Sequence, residues 1–147
     1  MADDFNPVHL QSIGERLLPS VRRAGDVILQ IHRLDPKAEF KADQSPVTEA
    51  DRKAEDILLA ALTELDLKIP IVSEENTDSH LCEPSRHFFL VDPLDGTKEF
   101  LSPDGRGNFT VNIALIMNGD PLMGIVFAPA LDQIYLGVVG IGLKKNG

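Results

Sequence analysis

Tryptophan is missing from this chain of 147 residues, cysteine and tyrosine each occur once, and basic residues are few. Each shortage excludes something. Cys82 alone cannot close an internal disulfide, and His9, His32, His80 and His87 show no zinc-ligand spacing, which leaves them as surface or packing residues. No apolar run approaches the roughly 20 residues that a membrane helix needs. Met1 to Phe5 lacks the basic and apolar blocks of a signal peptide. No integral membrane segment is therefore expected, and a reducing cytoplasm fits, with peripheral attachment at an inner membrane as the alternative. Lys and Arg number 14 against 23 Asp and Glu, a net charge of −9. Binding to a nucleic-acid polymer rests on clustered cations, so that class is excluded. An acidic chain that handles an anionic substrate needs positive charge from elsewhere, and a metal ion is the obvious donor.

What is present suits one ordinary domain with a hydrophobic core: 43% hydrophobic and 25% charged residues, without repeats or low-complexity segments. Leu10, Ile13, Leu17, Val21, Ala24, Ile28 and Ile31 recur at helical steps, with Pro19 inside the stripe, where a kink or a division near Leu18 is expected. Residues 34–46 read as an ordered loop. A second helix is predicted from near Thr48, burying Ala50, Ala54, Ile57, Leu58, Ala61, Leu62 and Leu65. Ile69 to Val72 and His87 to Val91 read as strands, the second a continuous apolar run suited to cover on both faces. Phe109 to Ile116, Leu122 to Ala128 and Gln133 to Val139 read as antiparallel strands, the first two joined by the Asn118-Gly119 turn. Lys144 and Lys145 read as a solvated end. Helices first and a meander later give an α+β class: two N-terminal helices on a mainly antiparallel sheet.

The chemistry concentrates at Asp92-Pro93-Leu94-Asp95-Gly96-Thr97, which follows the apolar run Phe89-Leu90-Val91. Side chains alternate along a strand, so Asp92 and Asp95 would face opposite ways if it ran straight. Pro93 is expected to end the strand, letting a turn bring both carboxylates to one point. Mg²⁺ takes oxygen ligands and keeps several waters, which suits two carboxylates and the carbonyl of Leu94. Glu74, leaving an earlier strand, could complete a site for two ions. Amides of Gly96 and Thr97 could hold phosphate oxygens. The Thr97 hydroxyl, paired with Asp51, could orient and deprotonate a water. Plainer roles exist. Asp51 lies three residues after Thr48 and suits the acid of a capping box. Glu74 and Glu75 would ordinarily be solvated, and Asp95-Gly96 alone is a common turn dipeptide. The chemistry of Asp-x-Asp-Gly-Thr phosphatases, which use an aspartyl nucleophile, is disfavoured because Asp92 and Asp95 are three apart, not two.

The Asp92-to-Thr97 string resembles the signature of the inositol monophosphatase superfamily of Mg²⁺-dependent, lithium-sensitive phosphatases. Lys41 to Asp51, Val72-Ser73-Glu74-Glu75, Thr97-Lys98-Glu99-Phe100 and Phe109 to Ile116 resemble its 3'(2'),5'-bisphosphate nucleotidase branch. The resemblance implies the layered helix and sheet sandwich of that family. It implies hydrolysis of adenosine 3',5'-bisphosphate to AMP and phosphate, a step in sulfur assimilation, with inositol monophosphatase activity as the sister reading. It also implies Mg²⁺ ligands at Glu74, Asp92, Asp95 and the Leu94 carbonyl, a water activated by Thr97 with Asp51, and phosphate on the Gly96 and Thr97 amides. Members run to roughly twice a typical domain length, and their second half carries a Trp-Asp ligand motif that finds no match in a chain without Trp. Residues 1–147 are accordingly expected to be the N-terminal metal- and phosphate-binding domain, with the second α/β domain missing. A metal-binding fragment without catalysis is the non-enzyme alternative. Strand faces left uncovered would favour a homo-oligomer.

Overall fold

The computed structural model describes residues 5–33, 39–40, 46–47, 49–73, 87–96 and 109–146. Its first element is a 27-residue helix, α1 (Pro7–Arg33). Asn6 begins it: its side-chain Oδ1 accepts the backbone N–H of His9 at 2.9 Å, and Pro7 occupies the first helical position, where no donor is lost. Leu10, Ile13, Leu17, Val21, Ala24 and Ile28 are all buried, as their spacing requires. Pro19 does not divide the helix. It lies on the exposed side, where the Glu15 carbonyl that it deprives of a partner faces water, while Leu17 and Val21 hold either side of it in one core.

Between the helices, the stretch read as a loop includes a two-stranded antiparallel ribbon, β1 (Glu39–Phe40) with β2 (Pro46–Val47). Thr48 lies outside the described residues. Helix α2 (Glu49–Glu64) buries Ala50, Asp51, Ala54, Leu58 and Leu62, with Leu65 just beyond it, whereas Ile57 and Ala61 are only half-buried. The two helices pack side by side, α1 across β6 (Asp120–Ala128) and α2 across β4 (His87–Asp95).

Under them lies one six-stranded sheet in the order β3 (Ile71–Ser73), β4, β5 (Thr110–Met117), β6, β7 (Gln133–Val138), β8 (Gly142–Lys145). Only the β3–β4 pair is parallel. Its inner face presents Phe89, Val91, Val111, Ile113, Leu115, Met123, Ile125, Phe127, Ile134, Leu136 and Val138 to the helices. Asn118 and Gly119 have φ of 52° and 84°, so the β5–β6 hairpin turns through the two left-handed residues its tight loop demands. Lys144 and Lys145 are exposed, as the reading of a solvated end expected, and they also form part of the edge strand β8. It pairs Lys144 with Leu136 and Lys145 with Tyr135. Positive φ at Gly140 and Gly142 makes that reversal, and lysines on an edge discourage further pairing.

The helices lie close to the sheet where glycine allows it. A β-carbon on Gly25 would fall on the Phe127 ring and 2.9 Å from Cγ of Pro129. One on Gly14 would meet chiefly the flexible end of Leu136. Gly25→Ala is therefore expected to destabilise the fold by about 1–3 kcal/mol through overpacking, although alanine favours helix. Gly14→Ala should cost less. Urea midpoints of both variants test this, and an unchanged Gly25→Ala midpoint would refute the tight α1–β6 crossing.

Candidate metal and phosphate site

The parallel pair β3–β4 sets the position of the site, because both strands then end at the same edge of the domain. Ser73, the last residue of β3, stands in register with Val91, and Asp92 follows on β4. Helix α2 is anchored along this pair at two points. Near its C-terminal end Leu62 and Thr63 line a pocket together with Ile71 and Phe89. Nearer its start, Glu55 accepts a hydrogen bond from Ser73. The helix thus runs opposite to the two strands, and its first turn, which carries Asp51, reaches towards the strand ends.

Strand β4 does not stop at Pro93, contrary to the expectation; it continues to Asp95. The ladder with β5 pairs Asp92 with Asn112 and then Asp95 with Thr110, so three residue steps on β4 span two on β5. One extra residue is accommodated as a β-bulge. A bulge interrupts the ladder, which is where a residue without N–H is tolerated inside a sheet. Residues directly opposite in an antiparallel ladder share a face, as do positions two apart on one strand. Asp92, Asp95, Thr110 and Asn112 consequently stand on one face, the one turned away from the helices. Pro93 and Leu94 fill the interval on the core side and are both buried. The two carboxylates are brought to one side by an irregular strand rather than by a turn after it.

Exposure differs among the acids. Asp95 is exposed, Asp92 half-buried and Asp51 fully buried. Among the described residues, Asp51 and Ser73 are the polar residues of the buried core, and both belong to this end of the molecule. Asp51 occupies the third position of α2, as a capping-box acid would, but that role does not require complete burial. Gly96 follows the bulge with φ of 91°, a conformation costly for any residue with a β-carbon. Glu74 and Thr97 lie outside the described residues, as do Glu75, Lys98 and Glu99. Among the described residues no three His, Cys, Asp or Glu side chains form a metal cage by themselves. The donor set of Asp92, Asp95 and the intervening carbonyl is all hard oxygen, which fits a hydrated Mg²⁺ and not a soft or thiophilic metal.

Reading along the chain overlooked Thr110 and Asn112, whose side chains are hydrogen-bonded to each other at 2.9 Å beside the acids. Their signal was the alternation of polar Thr110 and Asn112 with buried Phe109, Val111 and Ile113. Glu55 and Ser73 were overlooked too, and no local pattern announces a bond between residues that far apart.

With this geometry in place, residues 10–147 match the Inositol monophosphatase family. The chain belongs to that family. It is 43% identical over 137 residues to a 3'(2'),5'-bisphosphate nucleotidase CysQ of Salmonella typhimurium, a match covering 90% of this chain and 54% of that protein. Among solved structures it resembles CysQ from Bacteroides thetaiotaomicron with a TM-score of 0.74 and 39% identity, over 94% of this chain and 50% of the other. The extragenic suppressor protein suhB from Bartonella henselae also superposes with a TM-score of 0.74, at 29% identity over 92% and 51% of the two chains. The chain spans about half the length of the curated relatives it matches. Two helices on a mixed sheet are the family's fold, as the α+β reading expected. The bulge also removes the argument that acids three apart must diverge, so spacing does not decide against the aspartyl-nucleophile alternative. Among the described residues no helix is long and apolar enough to cross a membrane.

The bulge and the residue after it make different demands. Gly96→Ala, measured by urea titration in chelator, is expected to cost on the order of 1–2 kcal/mol because an L side chain enters a left-handed backbone. Asp95→Ala, at an exposed position, should stay within about 0.5 kcal/mol of the parent. Equal midpoints for all three proteins would remove the strained glycine from the account.

Proposed function

We propose that this chain carries the metal and phosphate site of a Mg²⁺-dependent phosphomonoesterase acting on adenosine 3',5'-bisphosphate, with AMP and phosphate as products. The observation that carries the reading is the bulge that sets Asp92 and Asp95 on one sheet face at the strand ends. Sequence similarity to proteins named 3'(2'),5'-bisphosphate nucleotidase supports the choice of substrate. The same similarity makes the sulfur-assimilation nucleotide the natural small-molecule partner.

In this reading Asp92, Asp95, Glu74 and the Leu94 carbonyl hold Mg²⁺. The ion, when bound, supplies charge neutralisation and a more acidic water. Thr97 orients that water through its hydroxyl, and Asp51 accepts the proton as the water oxygen attacks phosphorus. The amides of Gly96 and Thr97 hold the phosphate oxygens, where positive φ at Gly96 allows close approach. The bond from phosphorus to the ribose 3'-oxygen breaks, that oxygen takes a proton from solvent water, and Asp51 later returns its proton to solvent. Complete burial of Asp51 beside the strand ends, more than a capping role requires, supports giving it the proton-accepting role.

Phosphate release from adenosine 3',5'-bisphosphate should require Mg²⁺ and stop with chelator. Asp51→Asn is expected to lower kcat by about 10²–10⁴-fold, and Asp92→Ala to abolish the Mg²⁺ response. The assay belongs both to this chain and to a chain as long as its relatives; Mg²⁺ binding without release in either would leave a non-catalytic metal-binding domain. An inositol phosphate that outcompetes the nucleotide would transfer the reading to inositol monophosphatase. Trapping of a phosphorylated Asp92 would overturn the water-based mechanism.

A further inference from the structure

Ser73 closes β3, and its hydroxyl donates to Oε2 of Glu55 at 2.7 Å, joining positions 18 residues apart. Ser73 is 1% exposed, so this bond is shielded from exchange with water. Glu55 lies four residues after Asp51, and positions so spaced stand on one face of a helix, one turn apart. Ser73 itself is level with Val91, one residue short of Asp92. This hydrogen bond therefore ties the turn of α2 next to Asp51 to the strand pair immediately before Asp92.

The other anchor of α2 is of a different kind. Leu62 and Phe89 belong to the apolar core and Ile71 packs against it, and apolar packing is non-directional and tolerates a small slide of helix over strands at little loss of buried area. A hydrogen bond fixes distance and angle, so Glu55 and Ser73 supply the longitudinal restraint that the apolar contacts lack. We infer that Glu55 and Ser73 are positioning residues, their bond fixing the strand ends from which β4 presents Asp92 and with them the affinity of the site for a divalent cation. Neither touches substrate or ion. The inference rests on the reading of these acids as part of a Mg²⁺-phosphate site.

Calorimetric titration with Mg²⁺ tests it, with melting curves in chelator as the control for simple stapling. Ser73→Ala keeps the charge and loses the bond; its Mg²⁺ dissociation constant should rise on the order of tenfold, the effect typical of supporting hydrogen bonds around metal ligands. Glu55→Gln and Glu55→Ala remove the same charge, but only glutamine retains a carbonyl to accept the Ser73 hydroxyl. Glu55→Gln should therefore bind Mg²⁺ more tightly than Glu55→Ala by a similar factor. Parent-like binding by Ser73→Ala overturns the positioning role and leaves the metal site standing. Equal weakness of Glu55→Gln and Glu55→Ala overturns it as well, assigning the effect to charge, and this pair decides should Ser73→Ala fail to fold. A parent chain that does not bind Mg²⁺ overturns the site and the positioning role together.

Discussion

The extra residue between Asp92 and Asp95 is the constraint on which the site depends. An uninterrupted strand would send one of these carboxylates into the core among Phe89, Val91 and Leu115, where an ionised group has no compensation. With the bulge, the side chains that turn inward are Pro93 and Leu94, which suit the core, and those that turn outward are both acids. Proline serves this arrangement through what it lacks, since the missing N–H falls where the ladder is broken. The buried Leu94 side chain anchors the irregularity from below, so the outward geometry of the acids is held by the same apolar packing that stabilises the sheet.

That packing lies on one side only. Helices α1 and α2 cover the inner face, and their buried stripes and the inner residues of β4 to β7 form one continuous core. The candidate site draws on two layers. Asp92, Asp95, Thr110 and Asn112 belong to the outer face of the sheet, whereas Asp51 comes from the helix layer at the strand ends. Groups on different layers meet only at an edge, and the parallel pair β3–β4 creates that edge by ending both strands together. A fully antiparallel arrangement would have put the end of β3 at the opposite side of the domain from Asp92.

Legibility in the sequence tracks how local each cause is. The stripe from Leu10 to Ile28 and the Asn118-Gly119 hairpin are set by neighbours within a turn or two, and both could be read directly. Pro93 misled because its local effect, ending a strand, is overridden by a register with β5 that no nearby residue encodes. Of the two outcomes expected at Pro19, a kink or a division, the division does not occur: the sheet beneath α1 holds Leu17 and Val21 in one core. Edge strand β8 depends on pairing with β7, and its exposed Leu143, Lys144 and Lys145 carry no alternation to announce it. The acids at Asp92 and Asp95 were recognisable as a pair; the means of bringing them together was not. The Ser73–Glu55 contact has no sequence signal at all, being a meeting of two elements that only the assembled core produces.

Charge completes the physical logic. A chain with net charge −9 collects Asp51, Asp92 and Asp95 towards one edge. Such a cluster does not stabilise a fold, and apolar residues in its place would pack with less strain. It persists on a scaffold whose rigidity comes from elsewhere, here from the helix-covered sheet. Bringing a phosphate ester to the same edge would add further negative charge. In the proposed reading a divalent cation would resolve both conflicts at once, because it would offset the mutual repulsion of the acids and give the incoming anion something to bind. On that reading, the acidic composition, the oxygen-only donors and the rigid bulge serve one requirement: carboxylates held in place to receive a cation.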